Sequence, residues 1–174
     1  MTVWMVRALT GAAIAAMATG ALAQVSTNQV ATKTDWSVFT EDNPKECWAV
    51  SKPKQTVNSK DGKPVSVRRG EILMFVTYRP GGGSVGEVSF TGGYPFADGS
   101  TVSVDIGGSK FEMFTDGEYA WASNADEDAK MLAAMKTGAQ AVLTARSSRG
   151  TQTEDTFSLL GFTAATEDAA TRCK

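Results

Sequence analysis

Residues 101–114 read TVSVDIGGSKFEMF and carry the clearest structural signal of the chain. Apolar and polar residues alternate on both sides of Gly107-Gly108, as in two half-buried strands. The two glycines between them supply the positive φ that a tight turn needs. This stretch therefore predicts a β-hairpin in an antiparallel sheet.

Short runs of the same kind recur along the chain, separated by turn residues such as Asp61-Gly62, Asp98-Gly99 and Asp116-Gly117. The nine runs are 36–39, 47–50, 71–78, 86–90, 101–106, 110–114, 119–122, 139–146 and 153–160. About nine short strands at this spacing favour an all-β fold, either a β-sandwich or a barrel-like sheet.

Two segments depart from the β pattern and predict one or two short peripheral helices. Residues 126–137 place Met131, Leu132 and Met135 on one helical face, with acids leading and Gly138 at the expected end. The tail 162–172 is a second candidate, with Thr163 or Thr166 as the capping residue.

The first 23 residues have the pattern of a secretory signal peptide. Arg7 is followed by an Ala-rich apolar core and an Ala-x-Ala exit, so cleavage is expected between Ala23 and Gln24. We then expect a flexible mature N-terminus over 24–35 and a single domain over 36–174. No further long apolar run follows, which predicts that the mature chain is not transmembrane. The expected location is periplasmic, outer-membrane associated or secreted.

Charge and composition narrow the classes of partner. The 174 residues include 17 basic and 19 acidic ones, and of these only Arg7 lies in the predicted leader. A net negative domain offers no electrostatic basis for binding nucleic acid. The expected partner is therefore an envelope component or another protein.

Two cysteines, Cys47 and Cys173, remain in the mature chain. An exported protein meets an oxidising compartment, where two cysteines permit one internal pairing. We expect a Cys47–Cys173 disulfide, with free thiols or an intermolecular bond as the alternatives.

Several short motifs resemble catalytic signatures but lack their physical context. Residues 82–86 fit the G-x-S-x-G pattern of a nucleophile elbow, yet the chain has no histidine to serve as a base. Ser51-x-x-Lys54 and the triplet 136–138 fit S-x-x-K and K-T-G, but Pro53 interrupts the turn that the first motif requires. The sequence therefore predicts a protein that is not an enzyme and has no catalytic residues.

Metal and cofactor sites are not expected either. Glycines 81, 83 and 86 fit a dinucleotide-binding pattern, but no helix is predicted to open there. Without histidine, and with both cysteines committed to a disulfide, a transition-metal site is not predicted. A calcium site built from carboxylates is left as an alternative, although residues 126–128 match the acidic start of a helix better than a calcium loop.

An envelope hydrolase with paired carboxylates is the alternative from a different functional class. Its candidate residues are Asp98, Asp105, Glu112, Asp116 and Glu118. Their spacing singles out no pair. A third interpretation is a structural or assembly protein of the outer membrane that binds other proteins through sheet edges.

A basic stretch between Lys45 and Arg69 is a candidate binding surface for anionic envelope components. The residues proposed for it are Lys52, Lys54, Lys60, Lys63, Arg68 and Arg69. The alternative is a solvated hairpin whose lysines keep an edge strand from pairing with other chains.

Aromatic residues are dense in the second half of the chain. They are Tyr78, Phe90, Tyr94, Phe96, Phe111, Phe114, Tyr119 and Trp121. Such residues can line a ligand groove between sheets. We expect most of them to fill the core instead, because alternating strand positions place them there.

The chain from Trp36 onward resembles the invasion-associated locus B family of exported bacterial proteins. The segment 149–165, RGTQTEDTFSLLGFTAA, is similar to the family's closing strand, Gly-Phe-x-Ala-Ala turn and terminal helix ending in a cysteine. The preceding Met-Leu-Ala-Ala helix and the opening Asp35-Trp36-Ser37-Val38 are similar as well. Members often carry a second, central cysteine pair, which this chain lacks between Phe111 and Trp121.

This resemblance implies an all-β exported domain associated with the cell envelope. The family is named for host-cell invasion by pathogenic members, and the resemblance implies no known reaction. The sequence thus predicts an exported, non-catalytic protein that binds an envelope or host-surface partner.

Overall fold

The computed structural model describes residues 28–81 and 83–174. This part of the chain forms twelve strands and two helices. They are β1 (Gln29–Lys33), β2 (Trp36–Asp42), β3 (Lys45–Ser51), β4 (Gln55–Lys60), β5 (Lys63–Pro64), β6 (Leu73–Arg79), β7 (Ser84–Thr91), β8 (Thr101–Ile106), β9 (Ser109–Asp116), β10 (Tyr119–Ala122), α1 (Ala125–Thr137), β11 (Gln140–Arg146), β12 (Gln152–Ser158) and α2 (Phe162–Arg172). The predicted signal peptide and its cleavage site at Ala23 and Gln24 lie outside the described residues.

One antiparallel sheet contains all twelve strands, in the order β1-β2-β3-β6-β7-β10-β9-β8-β11-β12-β4-β5. The hairpin predicted from residues 101–114 is β8 and β9, which pair from Thr101↔Phe114 to Ile106↔Ser109. The all-β fold class with two short helices is confirmed. The number of strands, however, is larger than the nine that the sequence predicted.

The three strands that sequence reasoning missed are β1, β4 and β5, which occupy the two ends of the sheet. All three are polar and largely exposed, so they lack the alternation that marks a half-buried strand. Their backbone pairs with a neighbouring strand instead. The prediction of a flexible segment over 24–35 needs correction from Gln29 onward, because Gln29–Lys33 pairs with β2.

The inner face of the sheet holds the core. In β8, Val102 and Val104 are fully buried while Thr101 and Ser103 are exposed. The same period of two recurs in β11 and β12. One face of each strand therefore supplies apolar side chains, as an antiparallel sheet with one solvated face requires.

The sheet curls until strands far apart in its order face each other. Phe90 on β7, the fifth strand, packs edge-on against Phe157 on β12, the tenth, with ring centroids 6.1 Å apart. Trp36 on β2 donates its indole N–H to the carbonyl oxygen of Ser158, at 3.0 Å. These contacts enclose the core between distant parts of one curled sheet.

Both helices pack on this curled sheet. Asn124 caps α1 by accepting from the backbone N–H groups of Asp126 and Glu127, both at 3.0 Å, and Met131 and Met135 are buried. Acids in the first turn and Gly138 at the C-terminus confirm the helix predicted over 126–137. Neither helix among the described residues has the length and apolar content that crossing a membrane requires.

The terminal helix α2 begins at Phe162, and its N-cap is Gly161 rather than the predicted Thr163 or Thr166. Gly161 has a φ of 86°, and a Cβ there would lie 2.0 Å from the carbonyl oxygen of Lys33. Only glycine fits this close approach between the helix start and β1. The hydroxyl of Thr166 instead donates to the carbonyl oxygen of Phe162, at 3.0 Å.

The Cys47–Cys173 disulfide predicted from the sequence is present and fastens the end of α2 to β3. Cys47 is fully buried in the core and Cys173 is 6% exposed. The bond closes a loop of 126 residues. Phe162, at the other end of α2, packs edge-on against Trp36 with ring centroids 5.0 Å apart. The helix is thus held to the sheet at both ends.

A buried ion pair between Arg69 and Asp155 joins the two halves of the sheet. The side chains are 6% and 0% exposed. The guanidinium donates to the two carboxylate oxygens at 2.8 and 2.5 Å. Its Nε also donates to the carbonyl oxygen of Gly92, just after β7, at 2.9 Å. Because Asp155 lies on β12, this one side chain ties β12 to the far end of β7.

Neighbouring groups hold the pair in place. Burial raises the pKa of Asp155, and the hydrogen bonds and charge of Arg69 act in the opposite direction. The guanidinium carbon lies 5.0 Å from the centroid of the Tyr94 ring, a cation–π contact. The Tyr94 hydroxyl is 2.5 Å from Thr153 Oγ1, and burial raises the pKa of Tyr94. The charge of Arg69 therefore interacts with groups inside the fold.

We expect reduction of the disulfide, or replacement of both cysteines by serine, to lower the free energy of unfolding by about 2–5 kcal/mol. The physical reason is that the bond restrains the unfolded chain across most of its length. Urea unfolding with and without reductant measures the difference. Identical midpoints under the two conditions would contradict the prediction.

We expect Asp155→Ala to lower the free energy of unfolding by about 3–5 kcal/mol, because it leaves the Arg69 charge buried without its partner. A second variant, Arg69→Ala, removes the other partner of the pair. The adjacent Arg68 is exposed, so Arg68→Ala is its matched control and should change the free energy of unfolding by no more than about 0.5 kcal/mol. Urea unfolding of the three variants is the measurement. Equal effects for Arg68→Ala and Arg69→Ala would refute the role of the pair.

Candidate binding groove

The outer face of the middle strands departs from the polar surface expected of a solvated sheet. Aromatic side chains project from it on β2, β3, β6 and β10. They are Phe39, Trp48, Phe75, Tyr119 and Trp121, all partly or largely exposed. Together with neighbouring polar residues they line an open groove of about 1090 Å³.

The first wall of the groove is the pair Phe39 and Trp48. These residues are opposite each other in the β2–β3 register. Their rings lie 5.6 Å apart and are parallel to within 4°. Trp36 and Val38 in β2 are fully buried, so the period of two requires Phe39 to point outward. The wall is therefore a consequence of strand alternation.

The second wall is formed by Tyr119 and Trp121 on β10 and is extended by Phe114 on β9. Phe114 and Trp121 are partners in the β9–β10 register, with ring centroids 5.6 Å apart. The Tyr119 ring lies 5.8 Å from the Trp121 ring. Phe114 is 48% exposed and Tyr119 is 47% exposed. Three large rings thus remain at the surface in one continuous cluster.

The floor between the walls is made by β6 and β7. Phe75 is opposite Ser89, which is in turn opposite Trp121. Thr77, two residues beyond Phe75 on β6, is 6% exposed, and Ser89 is 8% exposed. These two side chains bring hydroxyl groups to a floor that also includes Leu73 and the ring of Phe75. From β3 to β10 there are three strand spacings, so the walls stand about 14 Å apart.

An ion-pair cluster closes one end of the groove. Arg79 contacts Glu46 at 2.7 Å and Glu87 at 3.0 Å. Burial alone would lower the pKa of Arg79, but the hydrogen bonds and charges of the two glutamates produce a net upward shift. The guanidinium is thus held in its charged form between two carboxylates.

Two further ion pairs stand at the other end. Lys52 contacts Glu71 at 2.7 Å, and Lys54 contacts Asp35 at 2.5 Å. The hydrogen bond from Lys54 is the main cause of a lowered pKa at Asp35, with a smaller contribution from Ser158. Counting both ends, the groove is lined by three cations and four carboxylates, so its charge is close to balanced.

The six residues predicted to form a basic surface lie in different places, and Arg68 among them is exposed. Lys52 and Lys54 lie at the rim of the groove. Lys60 and Lys63 pair across the β4–β5 hairpin at the edge of the sheet, where exposed lysines hinder pairing with another chain. Including Arg69 in this surface was wrong, because its side chain is buried against Asp155.

The carboxylates proposed for a hydrolase lie outside the groove. Asp105 is ion-paired with Lys110 and accepts the backbone N–H of Gly108 at 2.8 Å, and these hydrogen bonds lower its pKa. The other four are exposed: Asp98, Glu112, Asp116 and Glu118. None of the five lies in a buried setting of the kind that tunes a catalytic carboxyl.

The two serines of the motifs that resemble catalytic signatures, Ser51 and Ser84, both belong to strands of the sheet. The hydroxyl of Ser51 donates to the backbone oxygen of Asp35 at 2.7 Å and is buried, and Ser84 begins strand β7. Among the described residues, no three His, Cys, Asp or Glu side chains are grouped closely enough to hold a metal ion. Asp128 in the acidic start of α1 accepts the N–H of Val88 at 2.8 Å, and burial raises its pKa.

A smaller hollow of about 720 Å³ lies beyond the second wall, between Phe114, Trp121 and the start of α1. The prediction that aromatic residues mainly fill the core holds for Phe90 and Phe96, which are buried. It does not hold for Phe114 and Tyr119, which are 48% and 47% exposed. Phe39 and Trp48 were not among the aromatic residues singled out from the sequence, where alternation places them on the strand face opposite Val38 and Ala49 but does not show which face is covered.

Comparison with known proteins supports the same fold. The family model described as invasion associated locus B (IalB) protein matches residues 36–170, well over half of the chain. The crystal structure of invasion associated protein B from Bartonella henselae is similar with a TM-score of 0.54 and 16% identity, over 81% of this chain and 95% of that chain. A comparison with curated proteins finds no match. At 16% identity the structural likeness concerns the fold, whereas the family model concerns membership. The chain belongs to the invasion associated locus B family.

Proposed function

We propose that this chain is an exported envelope protein that acts by binding, and that the aromatic groove is its contact surface. The observation that carries the proposal is the pair of exposed aromatic walls. A solvated sheet face has no folding reason to expose Phe39, Trp48, Tyr119 and Trp121 together. Clustered, partly exposed aromatic side chains are typical of recognition surfaces.

The electrostatics of the groove support binding rather than catalysis. The cations at its rim, Lys52, Lys54 and Arg79, are each paired with a carboxylate. A general acid or base must exchange a proton with a substrate, which these mutual ion pairs oppose. Of these pairs, those of Arg79 with Glu46 and Glu87 are partly buried and order that end of the groove. Side chains ordered before a ligand arrives reduce the entropy lost on binding.

Export is supported by the signal-like leader over 1–23 and by the disulfide. Disulfides persist in the periplasm and outside the cell, and Cys47 and Cys173 are bonded in this fold. The name of the Bartonella protein refers to invasion. For this chain we propose only the envelope location and the binding role.

Assembly through sheet edges is the less favoured alternative. The β4–β5 edge carries Lys60, Lys63 and Pro64. Lysine and proline at an edge are features that hinder the addition of a further strand. The aromatic groove, by contrast, lies on the face of the sheet formed by β2, β3, β6, β7 and β10, far from the β4–β5 edge.

We expect Trp48→Ala to weaken co-sedimentation of the purified protein with isolated cell envelopes by about tenfold or more, because it removes the larger ring of the first wall. Val57→Ala on β4 is the control, since Val57 is 42% exposed but lies outside the groove. The bound fraction is measured by sedimentation. Equal retention of the wild-type protein and both variants would contradict a role for the groove.

We expect the protein purified from its own cell envelope, without reduction, to begin at Gln24 and to be two hydrogens lighter than the thiol form. Signal cleavage removes residues 1–23, and the Cys47–Cys173 bond accounts for the lost hydrogens. Native mass spectrometry checks both. A mass that retains Met1 would overturn the proposed export route.

A further inference from the structure

We infer that the groove binds a neutral, extended saccharide chain. The inference deepens the proposed function and rests on it, since it names the class of ligand for the same surface. Three properties of the groove support it: the ring faces of the walls, the hydroxyl groups of the floor and the balanced charge of the two ends.

The walls offer flat aromatic surfaces to a ligand. The face of an aromatic ring carries partial negative charge and attracts the C–H groups of an apolar ring face. A sugar ring in its chair form has such a C–H face, with its hydroxyl groups around the rim. Because Phe39 is stacked against Trp48, and Tyr119 against Trp121, each wall can offer a sugar unit only the ring faces that this stacking leaves free. The depression between the walls leaves room for the units that connect them.

The floor and the ends offer both hydrogen-bond donors and acceptors. Thr77 and Ser89 provide hydroxyl groups, Lys52 and Arg79 provide donors, and Glu71 is among the carboxylate acceptors. A sugar hydroxyl donates one hydrogen bond and accepts others. Sugar hydroxyl groups can therefore replace the hydrogen bonds that these donors and acceptors make to water in the empty groove.

Other classes of ligand match this combination less well. An acyl chain would remove water from the ion pairs and floor hydroxyls without replacing its hydrogen bonds. A proline-rich peptide matches aromatic walls, but proline has no N–H to donate to the carboxylates. A polyanion or polycation would meet three cations and four carboxylates whose charges nearly cancel.

The dimensions of the groove indicate a chain rather than a single sugar. Its volume of about 1090 Å³ is at the upper end of the range for small-molecule pockets, roughly 300–1000 Å³. The two walls lie on strands three spacings apart, about 14 Å. A ligand must therefore be several sugar units long to touch both walls at once. This makes affinity dependent on chain length.

The test is isothermal titration calorimetry of the intact, disulfide-bonded protein with neutral hexasaccharides. The probes are the β-1,4-linked hexamers of glucose and of N-acetylglucosamine and the α-1,4-linked hexamer of glucose. We expect at least one to bind, and the corresponding monosaccharide to bind at least about tenfold more weakly. Trp48→Ala and Tyr119→Ser should each weaken the hexamer about tenfold or more. Val57→Ala should leave its affinity unchanged.

Tryptophan fluorescence gives an independent readout. Trp48 and Trp121 lie in the groove, whereas Trp36 is fully buried in the core. Ligand should therefore shift the emission of the wild-type protein, and Trp48→Ala should lose part of that shift. Tyr119 is 47% exposed, so Tyr119→Ser keeps the test valid if Trp48→Ala fails to fold.

The outcomes separate this inference from the proposed function. If all three hexamers fail to bind while Trp48→Ala still reduces retention on envelopes, the saccharide inference is wrong and the binding role stands. Binding of a proline-rich peptide, abolished by Trp48→Ala, would also overturn the saccharide inference alone. If neither the hexamers bind nor retention depends on the groove, both proposals fail.

Discussion

The buried ion pair between Arg69 and Asp155 is the contact that fixes how far the sheet curls. Arg69 donates at once to β12, through Asp155, and to the carbonyl oxygen of Gly92 beyond β7. A charge without water is costly unless it is paired and hydrogen-bonded, so the strands that supply its partners must come together. Phe90 and Phe157 meet behind this pair and seal the core. A purely apolar closure would be less selective, because apolar side chains tolerate many relative positions.

Curling of the sheet gives its two faces different roles. The inner face is filled by the core and by the helices α1 and α2, the second of which is anchored by Trp36 and by the Cys47–Cys173 bond. The outer face of β2, β3, β6, β7 and β10 is left open to solvent. Because the core needs only every second residue of each strand, the outward positions are free to carry recognition. In this protein they carry the aromatic walls.

Alternation made much of the fold predictable from sequence. Residues 101–114 identified β8 and β9 because Val102 and Val104 alternate with polar neighbours, and the end signals of α1 were equally local. The polar strands β1, β4 and β5 were missed because nothing in their own residues requires them to pair. The groove was anticipated only in part, since Tyr119 and Trp121 were named among the aromatic residues that can line one, whereas Phe39 and Trp48 were not. Phe39 and Trp48 have aromatic character in common with core residues, and one strand by itself does not reveal which face of the sheet is covered.

The amino-acid sequence was sufficient for properties that depend on near neighbours or on counting. These are the all-β class, the helix predicted over 126–137, the single internal disulfide pairing and the family resemblance. Properties that depend on distant segments required the folded chain. Arg68 and Arg69 are adjacent and chemically identical, yet one is exposed and the other is buried against Asp155. Their difference comes from which strands meet around them, a long-range outcome of packing that no local pattern encodes. The groove has the same origin, because its walls come from strands that become neighbours only when the sheet assembles.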